Sequence, residues 1–301
     1  MNSQARGATQ MSVAMAIAGT IGWFVVVSGR SVLDVVFWRC VFGAASLLVV
    51  CMHRGLLRDR ITRRVLLLSV LGGIAIVLNW LLLFAAYSHA SISIATAVYN
   101  TQPFILVCFG ALFLAERLTI AKIVWLGVAF AGLLLIVQVS ANTTSSDAHY
   151  ITGILMALGA AFLWAIAALL TKQLAGTPPY LIALIQVCVG ALMLAPFADL
   201  AHPPAHLETW GILIVIGVVH TGLVYVLMYD AVHRLPTHIQ GSLSFIYPVV
   251  AIAVDVVAFG RRLQPTQMLG AAAILIAVVG MNGYGAFRRS RKALAISQGS
   301  A

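Results

Sequence analysis

The sequence predicts an all-α integral membrane protein, with ten transmembrane helices arranged as two inverted five-helix repeats and both termini cytoplasmic. Three observations predict it. The first is composition: mean hydropathy is +1.03, and of 301 residues 62% are hydrophobic and 9% charged, whereas soluble chains are about a quarter charged. The second is length, since apolar runs of roughly 18 residues or more, enough to cross about 30 Å of hydrocarbon as a helix, recur along the whole chain. The third is an internal echo. Pro103 stands in SISIATAVYNTQPFILVCFGALFLAERL and Pro248 in GSLSFIYPVVAIAVDVVAFGRRL, and Glu116-Arg117-Leu118 and Arg261-Arg262-Leu263 each begin thirteen residues after their proline.

Taken in order, the spans of the first repeat cover 11–28, 33–52, 65–86, 91–115 and 120–140. The first apolar run lacks a small-residue cleavage site and many others follow it, so it is expected to be a retained span rather than a signal peptide. The fourth carries an unusual density of polar groups for so hydrophobic a segment, between Ser93 and Gln102. The polar stretch NTTSSDAH marks the external connection at 141–150. The second repeat then occupies 151–286, with spans at 151–174, 180–200, 209–232, 237–260 and 266–286. Residues 1–10 form a cytoplasmic N-terminus and 287–301 a basic cytoplasmic tail containing FRRSRK.

Basic residues set the orientation, because Lys and Arg in short loops stay on the cytoplasmic side. With the N-terminus inside, fourteen Lys and Arg fall on the inner side and only Arg30, Arg261 and Arg262 on the outer, leaving Arg39 within the second span. The formal charge of +10 therefore matches anionic lipid headgroups rather than nucleic acid. Five spans per half make the second half enter the membrane inverted, an arrangement of transporters that place substrate near the midplane where the halves meet. Trp23 after Gly22 and Trp164 after Leu163, and Gly127 and Gly270, extend the correspondence between the halves.

Enzyme classes find no support: HExxH, GxSxG, P-loop and GxGxxG patterns are all missing. Cys40, Cys51, Cys108 and Cys188 lie in or beside apolar runs without a CxxC pair, so they read as small packing residues, and neither a metal nor another cofactor is expected.

These features are similar to those of the drug/metabolite transporter superfamily, and within it the EamA-type ten-helix exporters. The resemblance rests on Pro103, Pro248, Ala115-Glu116-Arg117-Leu118-Thr119, its echo Gly260-Arg261-Arg262-Leu263-Gln264, and Arg39 in Phe37-Trp38-Arg39, and it runs from about 11 to 286. The aromatic-rich polar interior looks most like amino-acid exporters of the YddG type. Arg261 replaces the turn glutamate in the second half, so any role of that carboxylate exists once. The resemblance implies a basket of ten helices around a central cavity, lined by the third, fourth, eighth and ninth helices with parts of the first and sixth.

Polar side chains in hydrocarbon are costly and face a cavity or a partner helix. Ser93, Thr96, Asn100 and Pro103 share a face of the fourth helix, flanked by Tyr99 and Gln102, while Gln240, Ser244, Tyr247 and Asp255 form a stripe on the ninth. The eighth contributes His220, Thr221, Tyr225 and Tyr229, and the third Asn79 and Trp80. The expected substrate-binding set is Asn79, Trp80, Tyr99, Asn100, Tyr225, Ser244, Tyr247, Trp23 and Trp164. For each, interhelical hydrogen bonding is the structural alternative. Pro103 and Pro248 each remove a backbone donor and are the candidate hinges, a static bend being the alternative. His220 and Asp255 are candidate proton or charge sites, with a salt bridge from Asp255 to Arg261 or Arg262 as the competing role. Asp34, Asp230 and Glu116 are expected to pair with Arg39, Arg234, and Arg117 or Lys122.

The function expected is secondary transport: export of amino acids, aromatic or neutral, or of related small metabolites, across the plasma (bacterial inner) membrane by alternating access. The alternative is efflux of lipophilic cationic drugs. Small multidrug relatives in the superfamily use a buried glutamate for that purpose, and no equivalent stands mid-helix here. A small-molecule substrate and membrane lipids are the expected partners, nucleic acid is not, and monomer and homodimer both stay open.

Overall fold

A computed structural model of the chain describes residues 3–57, 61–89, 95, 98–114, 119–137, 148–259, 265–266, 268–270, 272–277 and 280. Its regular elements are α1 (Ser3–Gly19), α2 (Ile21–Ser28), α3 (Val32–His53), α4 (Arg63–His89), α5 (Gln102–Phe113) and α6 (Ile120–Val137), then α7 (Ala148–Gln173) and α8 (Pro179–Leu194). A 3₁₀ turn (Ala195–Phe197) and α9 (Leu207–Val215) follow, and a π-helical segment (Ile216–Leu223) joins α9 to α10 (Val224–Arg234); α11 (Thr237–Ser244) and α12 (Ile246–Phe259) complete the set. The turns Glu116-Arg117-Leu118 and Arg261-Arg262-Leu263, Ser93, Thr96, the connection at 138–147 and the tail from 281 lie outside the described residues, as does the side chain of Asp255.

Six described helical stretches have the length and apolarity to cross a membrane: Ser3–Val25, Val32–His53, Arg63–Ala86, Ile151–Gln173, Pro179–Phe197 and Leu207–Arg234. Gln102–Phe113, Ile123–Gly132 and Met268–Ala277 are apolar but shorter. Within the described residues the fourth and ninth spans are not continuous helices. Each is interrupted three residues before its proline, at Asn100 in the first half and at Phe245 in the second. A proline at i cannot donate to the carbonyl at i−4, and its ring crowds that carbonyl. The helix therefore stops and restarts, leaving Pro103 in the first turn of α5, where the missing N–H is not needed.

Other termini follow ordinary chemistry. The Ser31 hydroxyl accepts from the Asp34 N–H at 3.2 Å to cap α3, and Asp34 places negative charge at the positive end of the helix dipole. Gly55 after α3 and Gly176 after α7 adopt φ of +67° and +97°, a region open to glycine.

Packing joins the two halves of the chain. The most extensive contacts are α4 with α7, α3 with α8, α1 with α10, and α3 with the π-helical segment. These come in pairs related by exchanging the halves: α4–α7 matches α1–α10, α4–α8 matches α3 with the π segment, and α5–α7 matches α1 with α12. α3–α8 and α5–α11 join corresponding spans directly. Glycines permit these close approaches, as small residues do between membrane helices. A methyl group on Gly217 would overlap Cβ of Phe42, and one on Gly241 would sit 3.1 Å from Cβ of Pro103. The outside is apolar, with Ile120 82%, Leu192 77% and Val257 86% exposed, as suits a surface facing lipid.

Candidate functional site

Between the halves lies a cavity of about 100 Å³. From the first half it is walled by Met15 and Ala18 of α1, Arg39 of α3, Trp80, Leu83 and Phe84 of α4, and Tyr99 and Gln102 beside the break before α5. The second half supplies Trp164 of α7, His220 of the π segment, Val224, Tyr225 and Met228 of α10, and Tyr247 of α12. Ligand sites for drug-sized molecules run to about 300–1,000 Å³, so this cavity suits a small molecule unless its walls move apart. A larger open recess of about 510 Å³, lined by Ser3, Gly176, Asp230, His233 and Arg234, lies at the helix ends, and its charges already pair with each other.

Arg39 is the one strongly basic side chain on the described cavity wall, and it is 3% exposed. Seven residues into α3, it sits about 10 Å from that end of the helix. Its Cζ lies 3.9 Å from the centre of the Trp80 ring, and its Nε donates to Thr221 Oγ1 at 3.1 Å. Tyr99, Tyr225 and Tyr247 surround it. Among the described residues no carboxylate lies within ion-pair range of it. The expected Asp34–Arg39 pair does not form; Asp34 pairs instead with Arg30, 3.1 Å away. Residues five apart point about 140° away from each other around a helix, whereas Arg30 lies in the turn before α3 and reaches the Asp34 carboxylate at the helix N-terminus. Asp230 does pair with Arg234, at 2.9 Å.

The π-helical geometry presents both His220 and Thr221. Thr221 Oγ1 donates back to the Ile216 carbonyl at 3.0 Å, which leaves its lone pairs for Arg39. Thr20 donates its hydroxyl proton to the Ile17 carbonyl at 2.7 Å, so at 2.8 Å His220 Nε2 is the donor to Thr20 Oγ1. His220 Nδ1 lies 3.5 Å from the Val215 carbonyl, an acceptor toward which a second ring proton would point. π-bulges of this kind recur at functional sites.

Of the expected binding residues, Trp80, Tyr99, Trp164, Tyr225 and Tyr247 line the cavity, with Trp80 and Tyr225 edge to face at 5.7 Å. Asn79 points elsewhere: buried, it donates from Nδ2 to the Ala160 carbonyl at 2.7 Å and ties α4 to α7. Neighbouring helical residues diverge by about 100°, and here the Asn79 amide turns to α7 while Trp80 takes the cavity side. Ser244 turns back to the Gln240 carbonyl at 2.9 Å, the local bond that serine hydroxyls form within helices. Asn100 is buried at the break and is not on the wall, and Trp23 packs against Phe24 with centroids 4.7 Å apart. Pro248 lies in the first turn of α12. Among the polar wall residues, Arg39 and Gln102 are absent from the expected set, and the remaining additions are apolar.

Beyond the cavity, the end of the molecule bearing Arg30 is held by a polar lattice. Arg30 donates to the His202 carbonyl at 3.0 Å, and Asp34 Oδ1 accepts from the Asp199 N–H at 3.1 Å. Hydrogen bonds from His202 hold the Asp199 carboxyl below the usual carboxylate range. At the end bearing the N-terminus, Gln10 donates to Asp230 at 2.7 Å, and Lys172 Nζ to the Leu235 carbonyl at 3.1 Å.

The EamA-like transporter family model matches the chain twice, over residues 5–138 and again over 151–283. The chain belongs to this family. It is therefore a multi-pass transporter of the plasma membrane (the inner membrane in bacteria) and not an enzyme. An uncharacterized transporter of Bacillus subtilis, YxxF, is 29% identical over 268 residues, 87% of this chain and 84% of that protein. The threonine/homoserine exporter RhtA of Escherichia coli is 30% identical over 204 residues, 66% of this chain and 65% of its own length. The pseudopaline exporter CntI of Pseudomonas aeruginosa is 30% identical over 190 residues, 62% and 63% of the two chains. A solved crystal structure superposes with a TM-score of 0.77 over 91% of this chain and 95% of its own. At 20% identity it speaks for the fold alone.

Proposed function

We propose that this EamA-like transporter is a ten-span secondary transporter that exports amino acids or closely related small metabolites by alternating access. Its halves are inverted in the membrane, its termini are cytoplasmic, and the 141–150 connection is external. One observation carries the choice of substrate: the described cavity wall combines aromatic rings from both halves with Arg39 and contains no Asp or Glu. A lipophilic cation would be drawn to the faces of Trp and Tyr but repelled by a neighbouring guanidinium with no carboxylate to offset it. A neutral zwitterion suits the same wall. The cavity volume of about 100 Å³ favours a small side chain over an aromatic one. Export of threonine and homoserine by RhtA, and of pseudopaline by CntI, supports the amino-acid and metabolite class.

Alternating access uses the interruptions before Pro103 and Pro248 as hinges, with the two polar end lattices opening in turn. His220, on the cavity wall and held by Thr20, serves as the proton site. Counterflow into proteoliposomes tests the proposal, with labelled threonine outside and a panel of unlabelled amino acids trapped inside. Saturable uptake stimulated by particular amino acids is the expected result. Accumulation of a lipophilic cation, with no amino acid carried, would move the protein to drug efflux.

A further inference from the structure

We propose that Arg39 and Gln102 form a split receptor for the two charged ends of a free α-amino acid, Arg39 taking the carboxylate and Gln102 the ammonium. This rests on the amino-acid export proposed above and names how that substrate is recognised.

The guanidinium of Arg39 is oriented before any ligand arrives. Its Cζ lies over the Trp80 ring at 3.9 Å and its Nε is bonded to Thr221 at 3.1 Å, two contacts that restrain it. The close approach of Gly43 and Gly217 holds α3 and the π segment together at that point: a methyl on Gly43 would lie 3.1 Å from Thr221 Cγ2, and one on Gly217 would sit 3.2 Å from the Arg39 carbonyl. With Nε engaged, the two terminal nitrogens remain as a fork, the geometry that binds a carboxylate through two parallel hydrogen bonds. Lysine lacks that fork. A buried charge in a membrane span faces a cavity or pairs with another charge or with backbone carbonyls, and among the described residues no carboxylate is in range of Arg39.

The second observation is independent of the first. Gln102 is 6% exposed and lines the same cavity, and its Oε1 is buried without a hydrogen-bond partner. An orphaned buried acceptor costs free energy until something donates to it. Arg39 and Gln102 line one small cavity, and a cation together with an acceptor in want of a donor matches in kind the carboxylate and the ammonium of one amino acid. The aromatic walls of Trp80 and Trp164 then receive the side chain. A phosphate-type anion would use Arg39, but it brings no cation to Gln102 Oε1 and could reach it only through a P–OH group.

Counterflow of labelled threonine in proteoliposomes, competed by analogues lacking one charge, tests the pairing. Threonine amide lacks the carboxylate, and 3-hydroxybutyrate lacks the ammonium. Against wild-type protein each is expected to compete at least tenfold more weakly than threonine. Arg39→Gln should shrink the preference for threonine over its amide to within twofold, and Arg39→Lys should restore it only in part. Gln102→Leu should shrink the preference over 3-hydroxybutyrate and leave the carboxylate preference intact. A merely structural role for either residue would lower all uptake without altering these ratios. If Arg39→Gln does not fold, the wild-type analogue series still decides. Amide competing as well as threonine, or inorganic phosphate competing as strongly, would overturn the pairing while leaving amino-acid export standing. Absence of any amino-acid flux would instead overturn the export proposal itself.

Discussion

Single residues divide into those that hold helices together and those that face the cavity, and substitutions separate the two groups. Asn79 sits beside Trp80 in sequence, yet its amide bridges to Ala160 at 2.7 Å. Interhelical bonds in membranes contribute about 0.6 kcal/mol on average and up to roughly 1.7. Asn79→Ala is therefore expected to cost about 1 kcal/mol in an unfolding titration, with transport per folded molecule within twofold of wild type. Tyr99→Ala should do the reverse, with normal abundance and a transport loss of tenfold or more. Wild-type rates for Tyr99→Ala would remove it from the site. His220 makes a sharper test, because glutamine can still donate to Thr20 but cannot take up a proton. His220→Gln should preserve gradient-free counterflow within twofold and lose acceleration by an imposed pH gradient. Acceleration that survives would exclude His220 as the coupling site.

Whole elements are shaped by two prolines and a few glycines. The fourth and ninth spans are each interrupted before a proline, and both meet the cavity, through Tyr99 and Gln102 in one and Tyr247 in the other. Pro248→Ala would restore an N–H for the Ser244 carbonyl and allow α11 and α12 to run on as one helix. The expected outcome is a melting temperature raised by a few degrees, on the scale of about 1 kcal/mol, with turnover slowed several-fold. A faster or unchanged turnover would make the bend a packing feature only. Much of this was legible beforehand: the thirteen-residue spacing marked both elements, and the prolines marked their weak points. The exact faces were not legible. A stripe drawn through Ser244 and Tyr247 assumes one continuous helix, and the interruption at Phe245 re-aims everything after it. In the same way the π-helical segment shifts the register of His220 and Thr221 against α10, which a uniform 3.6-residue period does not reveal.

At the scale of the molecule, the repeats are not separate domains. Their principal contacts run from one half to the other, α4 to α7 and α3 to α8 above all. The core is therefore assembled only when both halves are present. Residues 1–143 and 144–301 expressed apart are expected to be degraded, and expressed together to recover a substantial part of transport, measured by membrane abundance and counterflow. A half that accumulates alone in folded form would contradict this. Cutting at 143 leaves the described helices intact, since the 138–147 connection carries none of them.

What the sequence by itself determined is the solvent, the duplication and the kind of residue to look for. Hydropathy decides the membrane because about 20 apolar residues have few other places to go. An echo in sequence betrays an echo in structure, and aromatic and polar groups at mid-span advertise a cavity. Arg39 was advertised too, as a lone cation deep in an apolar run, although its helix gave no hint of what it faces. That was decided by tertiary structure alone. Arg39, Trp80, Gln102 and His220 come from four separate segments, and nothing local to any of them encodes their convergence. Only the packing of α3 against the π segment, and of α4 beside the break before α5, brings a guanidinium, an indole and an orphaned amide oxygen onto one wall.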